Sequence, residues 1–343
     1  MDTESTPAPT GGWHTERRER AAPRERTPMR EIVVCGEALV DVVSTASASP
    51  SDGLAPLQPA LGGGPFNVAI TLGRLGSAVS FCSAVSTDDY GEAIMAALWH
   101  SGVGTSLVQR RPEATPLALA TIGSDGAAHY TFYLDGTASR LVDDPGPFAP
   151  TASAVCFGTL SLVLEPGATV YETILRRSHA EGRLVACDPN IRAAVISDPD
   201  AYRRRFASWM DAVDIVKLSD EDASWLAQGP SGSRPEDWIS AGVAVVLVTA
   251  GADGIDVITA SGRNHVPAPP VSVADTIGAG DSIMGAVLHR VDRLGALSSQ
   301  AAAGLSDDAW TEIAAHATAV AAVTVSRPGA DPPWASELRT DYV

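Results

Sequence analysis

Residues 275–288, DTIGAGDSIMGAVL, place two aspartates around a glycine turn that leads into a run of small and apolar side chains. Gly278, Ala279 and Gly280 precede a predicted helix that begins near Asp281. Unpaired N–H groups and the helix dipole at a helix N-terminus stabilise an anion, and glycine lets a ligand approach the backbone closely. Asp281 is then either a general base that accepts the proton of a hydroxyl attacking phosphorus, or an N-cap of the helix. This stretch alone does not choose between the two.

Residues 61–76, LGGGPFNVAITLGRLG, form a second glycine-rich motif, with Asn67 in the first turn of a predicted helix. It is not a Walker A loop because no Lys-Ser or Lys-Thr pair follows, and it lacks the GxGxxG spacing. Gly62, Gly63 and Gly64 beside an exposed Asn suit hydrogen bonding to hydroxyl groups. Taken alone, the motif favours a plain structural turn over a hydroxyl-binding site.

The elements that must position these motifs are short β-rich runs that alternate with amphipathic helical patterns. The clearest runs are SAVCFGT, GRLVACDPN, AVDIVKLS and GVAVVLVTAG. Their alternation with helices predicts βαβ units and a parallel sheet covered on both faces. In open α/β sheets, ligands bind outside the carboxyl ends of the strands. Polar residues at those ends are therefore the first candidates for a site.

The domain organisation is one large α/β domain, expected over residues 30–335. Residues 1–29 are rich in Pro, Thr, Arg and Glu without apolar periodicity, which predicts a disordered tail. LALATIG and AHYTFYLDG flank the turn signal SDGA and read as an antiparallel pair. Together with residues 40–60, residues 118–138 are expected to form a small appended sheet.

The composition of the 343-residue chain, 45% hydrophobic and 19% charged, is typical of a globular protein with a large core. Its formal net charge of −17 disfavours binding to nucleic acid, which needs clustered Lys and Arg. No apolar run reaches the roughly 18 residues of a membrane span, and the N-terminus lacks the apolar core of a signal peptide.

The four cysteines lie singly in apolar runs and form no CxxC pair, so a zinc site is not expected. Buried, reduced thiols fit this pattern and indicate the cytoplasm.

Taken together, the two glycine motifs resemble the two signatures of the ribokinase-like (PfkB) carbohydrate kinase family. Gly62, Gly63 and Asn67 match the first, and residues 275–281 match the second, Asp-Thr-x-Gly-Ala-Gly-Asp. GEALVD, DPNIR, KLSDED, VTAGADG and SRPGA also resemble family landmarks. The resemblance covers roughly residues 31–335, and the residues of several landmark motifs are most similar to the fructokinase branch.

The resemblance implies a three-layer α/β/α sandwich with a mainly parallel sheet and a small β-sheet lid. It implies transfer of the γ-phosphate of ATP to a hydroxyl of a free sugar, with fructose as the favoured substrate. The base would be Asp281. The backbone N–H groups of Gly278, Ala279 and Gly280 would form the anion hole that stabilises charge on the transferred phosphoryl group.

Sugar recognition would, by the same resemblance, fall on residues around the first motif and on a second strand end. Asp41 ends the GEALVD run, and its alternative is a solvent-facing strand position. Phe132, in an aromatic alternation near the lid, is either a substrate contact or part of a packed strand face. Arg192 would contact phosphate, and its alternative is an exposed or paired arginine. The full substrate set implied is Asp41, Gly63, Gly64, Asn67, Phe132, Asn190 and Asp281.

Nucleotide contacts implied by the resemblance lie mainly in the second half of the chain. Lys217 is the only lysine in the sequence, and its alternative is a surface position. Thr318 stands where Asn or His is common in the family, which weakens the expectation of an adenine contact. The set implied is Lys217, Ser219, Thr249, Gly251, Gly254, Gly278, Gly280 and Thr318.

The resemblance also implies bound Mg²⁺ and K⁺, although this sequence departs from the family at both named residues of the Mg²⁺ motif. The family's Asn-x-x-Glu motif, whose Glu organises hydrated Mg²⁺, reads Ser219 to Asp222 here, and Asp222 is one methylene shorter than Glu. Aspartate is also a hard oxygen ligand, although its reach is shorter. A K⁺ site would draw on Asp275 and on main-chain carbonyls near Ile277, Thr324 and Gly329. The alternative for Asp275 is a turn-capping aspartate.

The resulting expectation is a cytoplasmic sugar kinase that uses ATP and Mg²⁺ and pairs its lids in a homodimer. Three alternatives stay open. A 2-keto-3-deoxygluconate kinase of the same fold would need an arginine facing the carboxylate of its substrate, and Arg140 or Arg192 could serve. A nucleoside kinase would need an apolar base pocket. A non-catalytic sensor of sugar or nucleotide is disfavoured by the retention of Asp281 and its glycine turn.

Overall fold

A computed structural model of the chain describes residue 1 and residues 30–44, 56–122 and 128–338. The predicted tail at residues 2–29 and the SDGA turn lie outside these ranges. The strands of the described part are β1 (Glu31–Cys35), β2 (Leu39–Ser44), β3 (Leu57–Gly62), β4 (Val79–Ser86), β5 (Val108–Arg111), β6 (Leu117–Ile122), β7 (Ala128–Tyr133), β8 (Ala152–Gly158), β9 (Leu184–Asp188), β10 (Ile215–Ser219), β11 (Val245–Thr249), β12 (Ile255–Thr259) and β13 (Gly262–Val266).

The α-helices follow the strands in the alternation that the sequence predicts, with short 3₁₀ turns between some of them. They are α1 (Gly64–Leu75), α2 (Asp89–His100), α3 (Gly167–Ala180), α4 (Pro199–Ala207), α5 (Asp220–Leu226), α6 (Pro235–Ala241), α7 (Ala279–Arg293), α8 (Ser299–Ala303) and α9 (Asp307–Val325). None of the helices in the described ranges has the length and apolar character that a membrane crossing needs.

The large sheet has the strand order β13-β12-β11-β10-β9-β8-β1-β4-β5 within the described residues. The neighbours from β11 to β5 are parallel, whereas β12 and β13 add an antiparallel edge beyond β11. The inner strands β4, β9 and β11 of the parallel part are largely apolar and buried on both faces, as sheets covered by helices on both sides require, whereas the edge strand β5 is half-buried. Their carboxyl ends therefore meet along one edge.

Two apolar clusters cover the faces of this sheet. One packs α1, α7 and α9 against side chains such as Ile32 and Leu247, and the other packs α3 and α4 against side chains such as Val33 and Val246. Adjacent residues of one strand thus belong to different clusters, as the period of two in a strand dictates. The result is a three-layer arrangement of helices, sheet and helices.

A smaller sheet, with the order β3-β2-β6-β7 among the described strands, is separate from the large one. β2 pairs with β6 in parallel, and β3 and β7 flank them as antiparallel edges. The run EIVVCGEALVDVV, which is strand-like throughout, is two strands in two different sheets. The chain turns at Gly36, where φ is +149° and an added Cβ would lie 2.2 Å from Pro65.

Candidate functional site

A cavity of about 400 Å³ lies at the carboxyl edge of the large sheet, beneath the small sheet. It is called the carboxylate cavity here because three buried or half-buried carboxylates, those of Glu37, Asp41 and Asp281, line it. All seven residues predicted to contact the sugar are among its lining residues: Asp41, Gly63, Gly64, Asn67, Phe132, Asn190 and Asp281. Residues from five separate parts of the sequence thus meet in one space.

Asp281 lies in the first turn of α7 and is 8% exposed. Asn67, in the first turn of α1, donates from Nδ2 to Asp281 Oδ2 at 2.8 Å. The two helices can approach because Gly285 faces α1, where a Cβ would lie 2.7 Å from the side chain of Thr71. Asn67 therefore fixes Oδ2 and leaves Oδ1 of Asp281 on the side of Gly64, whose ideal Cβ position is 3.3 Å away.

The glycine turn before α7 adopts the conformation that its sequence requires. Gly278 is the N-cap residue in the left-handed region, with φ of +76°, and a Cβ there would lie 2.6 Å from the Cβ of Ala330. Ala279 and Gly280 are the first residues of the helix, so the helix begins two residues before Asp281. Ala279 N donates to Thr276 O at 3.3 Å, and the start of a helix of this length is a place where an anion would be stabilised.

The pKa values of the cavity carboxylates respond to burial. Burial raises the pKa of Asp281, while the hydrogen bond from Asn67 and the charges of Lys217 and Arg192 oppose the rise. Burial and the charge of Asp281 raise the pKa of Asp41 to about 6, and Arg192 opposes this. At neutral pH Asp41 is therefore ionised, in a half-buried position where a ligand hydroxyl would replace water.

Asp41 lies in the middle of β2, not at the end of a strand as predicted. Its carboxylate rests against Gly62 on the neighbouring strand, where an added Cβ would lie 2.0 Å from Oδ2 of Asp41. Glycine is needed here to make room for the carboxylate. Gly63, the N-cap of α1 with φ of +108°, allows a close approach to the backbone oxygen of Glu37. The glycine motif thus shapes the space around Asp41 and Asn67.

Asn190 and Arg192 belong to the turn that follows β9. Asn190 has a positive φ of 38°, and its Nδ2 is 3.4 Å from Oγ1 of Thr159, which closes the floor of the cavity. Arg192 Nη1 donates to the backbone oxygens of Asn190 and Ile191 and, at 2.7 Å, to Asn190 Oδ1. Arg192 is therefore hydrogen-bonded to its own turn and also lines the cavity, and its contact with phosphate stays a prediction.

A second cavity of about 540 Å³, the apolar cavity, lies on the other side of the first turn of α7. It shares Thr276 and Gly280 with the carboxylate cavity. Five residues predicted for the nucleotide line it: Thr249, Gly251, Gly254, Gly280 and Thr318. Its other walls are largely apolar, with Pro269, Pro270, Val271, Val273 and Ile283 among them.

Three further residues predicted for the nucleotide do not line the apolar cavity. Gly278 lines the carboxylate cavity, and Ser219 caps α5 through its Oγ, which accepts from the backbone N–H of Asp222. Lys217 is 4% exposed and donates from Nζ to Asp188 Oδ2 at 2.8 Å. It lies directly beneath Gly280, where an added Cβ would be 2.6 Å from Nζ.

Lys217 is therefore a buried cation under the helix start and not a surface lysine. Burial lowers its pKa, but the carboxylates of Asp188, Asp281 and Asp222 outweigh that effect and leave the pKa above its ordinary value. Burial raises the pKa of Asp188 to about 6, and the charge of Lys217 opposes the rise. The pair is ionised at neutral pH, and the positive charge lies where phosphates at the helix start would be attracted.

The residues predicted for metals are engaged with backbone donors. Asp222 Oδ1 accepts from Ile191 N at 3.0 Å and Oδ2 from Ser219 N at 3.3 Å. Asp275 Oδ1 accepts from Ile277 N at 3.0 Å and Oδ2 from Gly329 N at 2.8 Å, as a turn-capping aspartate does. No group of three or more His, Cys, Asp and Glu side chains suited to a metal occurs in the described ranges.

Phe132 is half-buried on β7 and stacks on Tyr130 with ring centroids 6.1 Å apart. Both rings line the carboxylate cavity. Phe132 thus belongs to a packed strand face that is also a wall of the cavity, and its contact with a substrate stays a prediction.

Sequence reasoning missed three polar residues near the cavity. Glu37 is 2% exposed, and its Oε2 accepts from the backbone N–H and hydroxyl of Ser161. Thr159 adopts a positive φ of 58° at the end of β8. Asp188 keeps its Oδ1 without a hydrogen-bond partner among the described residues. A charged residue directly after an apolar strand, in VVCGE and ACDPN, is the signal that could have identified Glu37 and Asp188.

The model of the pfkB family carbohydrate kinases matches residues 29–337. A fructokinase of Rhizobium leguminosarum bv. trifolii is 34% identical over 281 residues, 81% of this chain and 85% of that protein. A probable fructokinase-4 of Arabidopsis thaliana is 31% identical over 325 residues, 90% of this chain and 95% of that protein.

Among solved structures, a fructokinase from Xylella fastidiosa with bound ATP superposes with a TM-score of 0.77 at 26% identity. The superposition covers 88% of this chain and 94% of that one. The expected ribokinase-like α/β fold is thereby confirmed.

Proposed function

This chain belongs to the pfkB family of carbohydrate kinases, and from that premise we propose that it is a fructokinase that transfers the γ-phosphate of ATP to fructose. The observation that carries the proposal is the meeting of two cavities at one helix start. The carboxylate cavity offers ionisable and amide groups for hydroxyls, and the apolar cavity offers walls for a nucleotide base. Thr276 and Gly280 belong to both cavities, so the two substrates would meet there.

Catalysis would start at Asp281. Asn67 holds Oδ2, so Oδ1 is the oxygen available to accept the proton of the attacking sugar hydroxyl. The hydroxyl oxygen bonds to the γ-phosphorus as the bond to the β-phosphate oxygen of ATP breaks, and ADP leaves. N–H groups at the start of α7 and the charge of Lys217 would stabilise the transferred phosphoryl group. These donors are already in position, so little reorganisation is needed.

Sugar recognition would use the carboxylates as acceptors of hydrogen bonds from hydroxyls. Asp41 and Asn67 face the cavity from two different elements, and Gly63 and Gly64 let the sugar approach the backbone. An analogue without the matching hydroxyl would leave Asp41 desolvated and unpaired, which penalises its binding. Phe132 and Tyr130 would cover the sugar from the small sheet and limit access of water to the reaction.

Mg²⁺ is proposed to accompany ATP. The residues fit such an ion, because Asp188 keeps one carboxylate oxygen without a partner among the described residues, beside Lys217. Mg²⁺ usually keeps several waters and binds through one or two carboxylates plus substrate phosphates. When bound, it would supply positive charge to the phosphates, and Asp188 would hold it, because both carboxylate oxygens of Asp222 already accept from backbone N–H groups.

K⁺ is proposed to bind main-chain carbonyls near Ile277, Thr324 and Gly329. The two backbone hydrogen bonds of Asp275 fold residues 275–277 and 329 together and would shape that site. Replacing K⁺ in the assay by a bulky organic cation would lower the rate if the ion orders the turn before α7.

The enzyme is further proposed to be cytoplasmic and to form a homodimer through the small sheet. The four cysteines are free and buried, which supports a reducing compartment. Leu57, Tyr130 and Tyr133 on the edge strands β3 and β7 are 46–56% exposed, which supports a partner for that sheet. Light scattering after size exclusion would give the mass.

A 2-keto-3-deoxygluconate kinase is the second candidate, because Arg192 lines the carboxylate cavity. A guanidinium suits the carboxylate of a sugar acid. Against it, Arg192 Nη1 is already bonded to its own turn, and Asp41 and Asp281 carry negative charge into the same space.

The deciding experiment measures ATP-dependent release of ADP with fructose, ribose, 2-keto-3-deoxygluconate, tagatose and adenosine. Fructose is expected to give the highest kcat/KM. A higher kcat/KM for the sugar acid would select the second candidate. A folded sample without turnover on any of the five would contradict the proposal of a kinase active on these substrates.

A further inference from the structure

The side chain of Asp222 bridges two parts of the site that lie on neighbouring strands. β9 and β10 are adjacent and parallel, so the turn after β9 and the start of α5 after β10 emerge side by side. Asp222 sits in the first turn of α5, and its Oδ2 accepts from Ser219 N in the capping box of that helix. Its other oxygen, Oδ1, leaves the helix and accepts from Ile191 N at 3.0 Å.

The turn that receives this hydrogen bond has an uncommon backbone conformation. Asn190 has φ of 38°, in the left-handed region, which asparagine adopts more readily than most residues with a side chain. Neighbouring groups can hold a turn in this conformation. Two groups do so here: Arg192 Nη1, which donates to Asn190 and Ile191 oxygens, and the carboxylate of Asp222, which accepts from Ile191.

This same turn carries two side chains into the carboxylate cavity. Asn190 and Arg192 line this cavity. The positive charge of Arg192 opposes the rise in pKa of both Asp41 and Asp281. A change in the turn would therefore move a sugar-side amide and a guanidinium together. Ile191, between them, is held from behind by Asp222.

We propose that Asp222 is a positioning residue that fixes the turn 190–192 against the sugar through its bond to the Ile191 N–H. Aspartate suits this task because its short side chain bonds Ile191 N and Ser219 N at the same time. The inference rests on the proposed function in one respect, that the carboxylate cavity binds the sugar. It assigns Asp222 to the sugar half of the site, although its helix begins beside the nucleotide half.

The experiment compares Asp222→Ala with Asp222→Asn. Asparagine keeps an oxygen that can accept from Ile191 N but removes the charge, whereas alanine removes both. For Asp222→Ala, the fructose KM is expected to rise about tenfold, as the loss of a hydrogen bond to a charged group implies. The ATP KM and the Mg²⁺ concentration for half-maximal rate should change less than about threefold. Asp222→Asn should keep the fructose KM within about threefold of the parent.

The chain supplies a matched control at Asp237. It occupies the same third position of another short helix, α6, and its Oδ2 accepts from Arg234 N at 2.9 Å in a capping box. Asp237→Ala and Asp237→Asn therefore repeat the loss of the cap far from either cavity. They should lower the melting temperature as the Asp222 variants do, with no change in the fructose KM.

Hydrogen exchange supplies a readout that does not depend on turnover. The amide of Ile191 should exchange faster in Asp222→Ala than in the parent or in Asp222→Asn, with or without substrates. If exchange rises but no sugar is turned over by the parent, the proposed function fails and the positioning role stands.

The positioning role is overturned if both Asp222 variants raise the Mg²⁺ requirement equally and leave the fructose KM and Ile191 exchange unchanged. That result would assign Asp222 to the metal. Should Asp222→Ala not fold, the exchange and fructose KM of Asp222→Asn, set against Asp237→Asn, decide by the same criteria.

Discussion

The carboxylate cavity and the apolar cavity share the start of α7, yet their walls differ in side-chain chemistry. The first brings Glu37, Asp41 and Asp281 to within reach of one ligand, and the pKa values of all three are raised by burial. The second is lined largely by alanine, valine, isoleucine and proline, with a few hydroxyls and glycines. Buried charges are costly unless a partner satisfies them, whereas apolar walls gain from any flat ligand.

This difference predicts that the two cavities contribute to substrate binding in different ways. Discrimination between substrates should reside in the carboxylate cavity, where one missing hydroxyl leaves a buried acceptor unpaired. The apolar cavity should contribute affinity spread over many small contacts. Substitutions in the first should therefore cause large, specific losses, and substitutions in the second should cause small losses confined to the nucleotide.

The largest effect is expected from Asp281→Asn. The amide keeps the size and the neighbour Asn67 but cannot accept the hydroxyl proton, so kcat should fall by about a thousandfold. The ATP KM should stay within about threefold, because the helix start and the apolar cavity are unchanged. Steady-state kinetics with both substrates measures this. Asp308→Asn, at the exposed start of α9, is the control and should match the parent. A near-normal kcat for Asp281→Asn would contradict the assignment of Asp281 as the general base.

Asp41→Ala should produce the next largest loss and confine it to the sugar. Two hydroxyl contacts to a charged acceptor would disappear, so kcat/KM for fructose should fall by about a hundredfold. The ATP KM is expected to be unchanged, because Asp41 lies on β2 and does not line the apolar cavity. An equal rise in both KM values would mean that the two cavities are not separable in this way.

The sequence predicts the carboxylate cavity better than the apolar one, for a physical reason. Asn67, Asn190 and Asp281 are polar residues at a turn or at a helix start beside glycines, and Asp41 is a charged residue within an apolar strand. A polar side chain in such a place is noticeable in the sequence. The walls formed by Pro269, Val271 and Val273 look like any apolar loop until the fold brings them opposite α9. Apolar residues carry no local signal of which ligand they will face.

Pairings between distant elements are the other part that the sequence does not predict. Lys217 could be placed on a strand, but its position under Gly280 depends on how α7 crosses β10. The motif GEALVD predicts a strand end at Asp41, whereas β2 continues to Ser44. The antiparallel edge β12–β13 was also missed, since its short strands lack the helices that mark the others.

Acid should affect the two halves differently. The pKa of Asp41 is raised to about 6, so Asp41 is ionised above that pH and becomes protonated as the pH falls through it. Burial also raises the pKa of Asp281, so acid acts on that carboxylate in the same direction. The kcat/KM for fructose should then fall about tenfold per pH unit below about pH 6 as Asp41 is protonated, and more steeply where Asp281 is protonated as well. Binding of ADP, measured by calorimetry over the same range, should change much less.

The control for the pH dependence is Asp41→Asn, which cannot titrate at that position. Its residual kcat/KM for fructose should show a shallower acid limb than that of the parent. An identical limb in both proteins would assign the whole dependence to Asp281 or to the nucleotide.

The smallest effect is expected from Val273→Ser in the apolar cavity. Val273 is 58% exposed, so its side chain is free to be covered by a ligand. Loss of that contact corresponds to about 1 kcal/mol, or a rise of about fivefold in the ATP KM, with the fructose KM unchanged. Leu294→Ser removes a comparably exposed apolar side chain, 49% exposed, at the far end of α7 and should leave both KM values alone. If Val273→Ser instead raised the ATP KM a hundredfold, binding in this cavity would depend on one contact, and the contrast between localised and distributed recognition would fail.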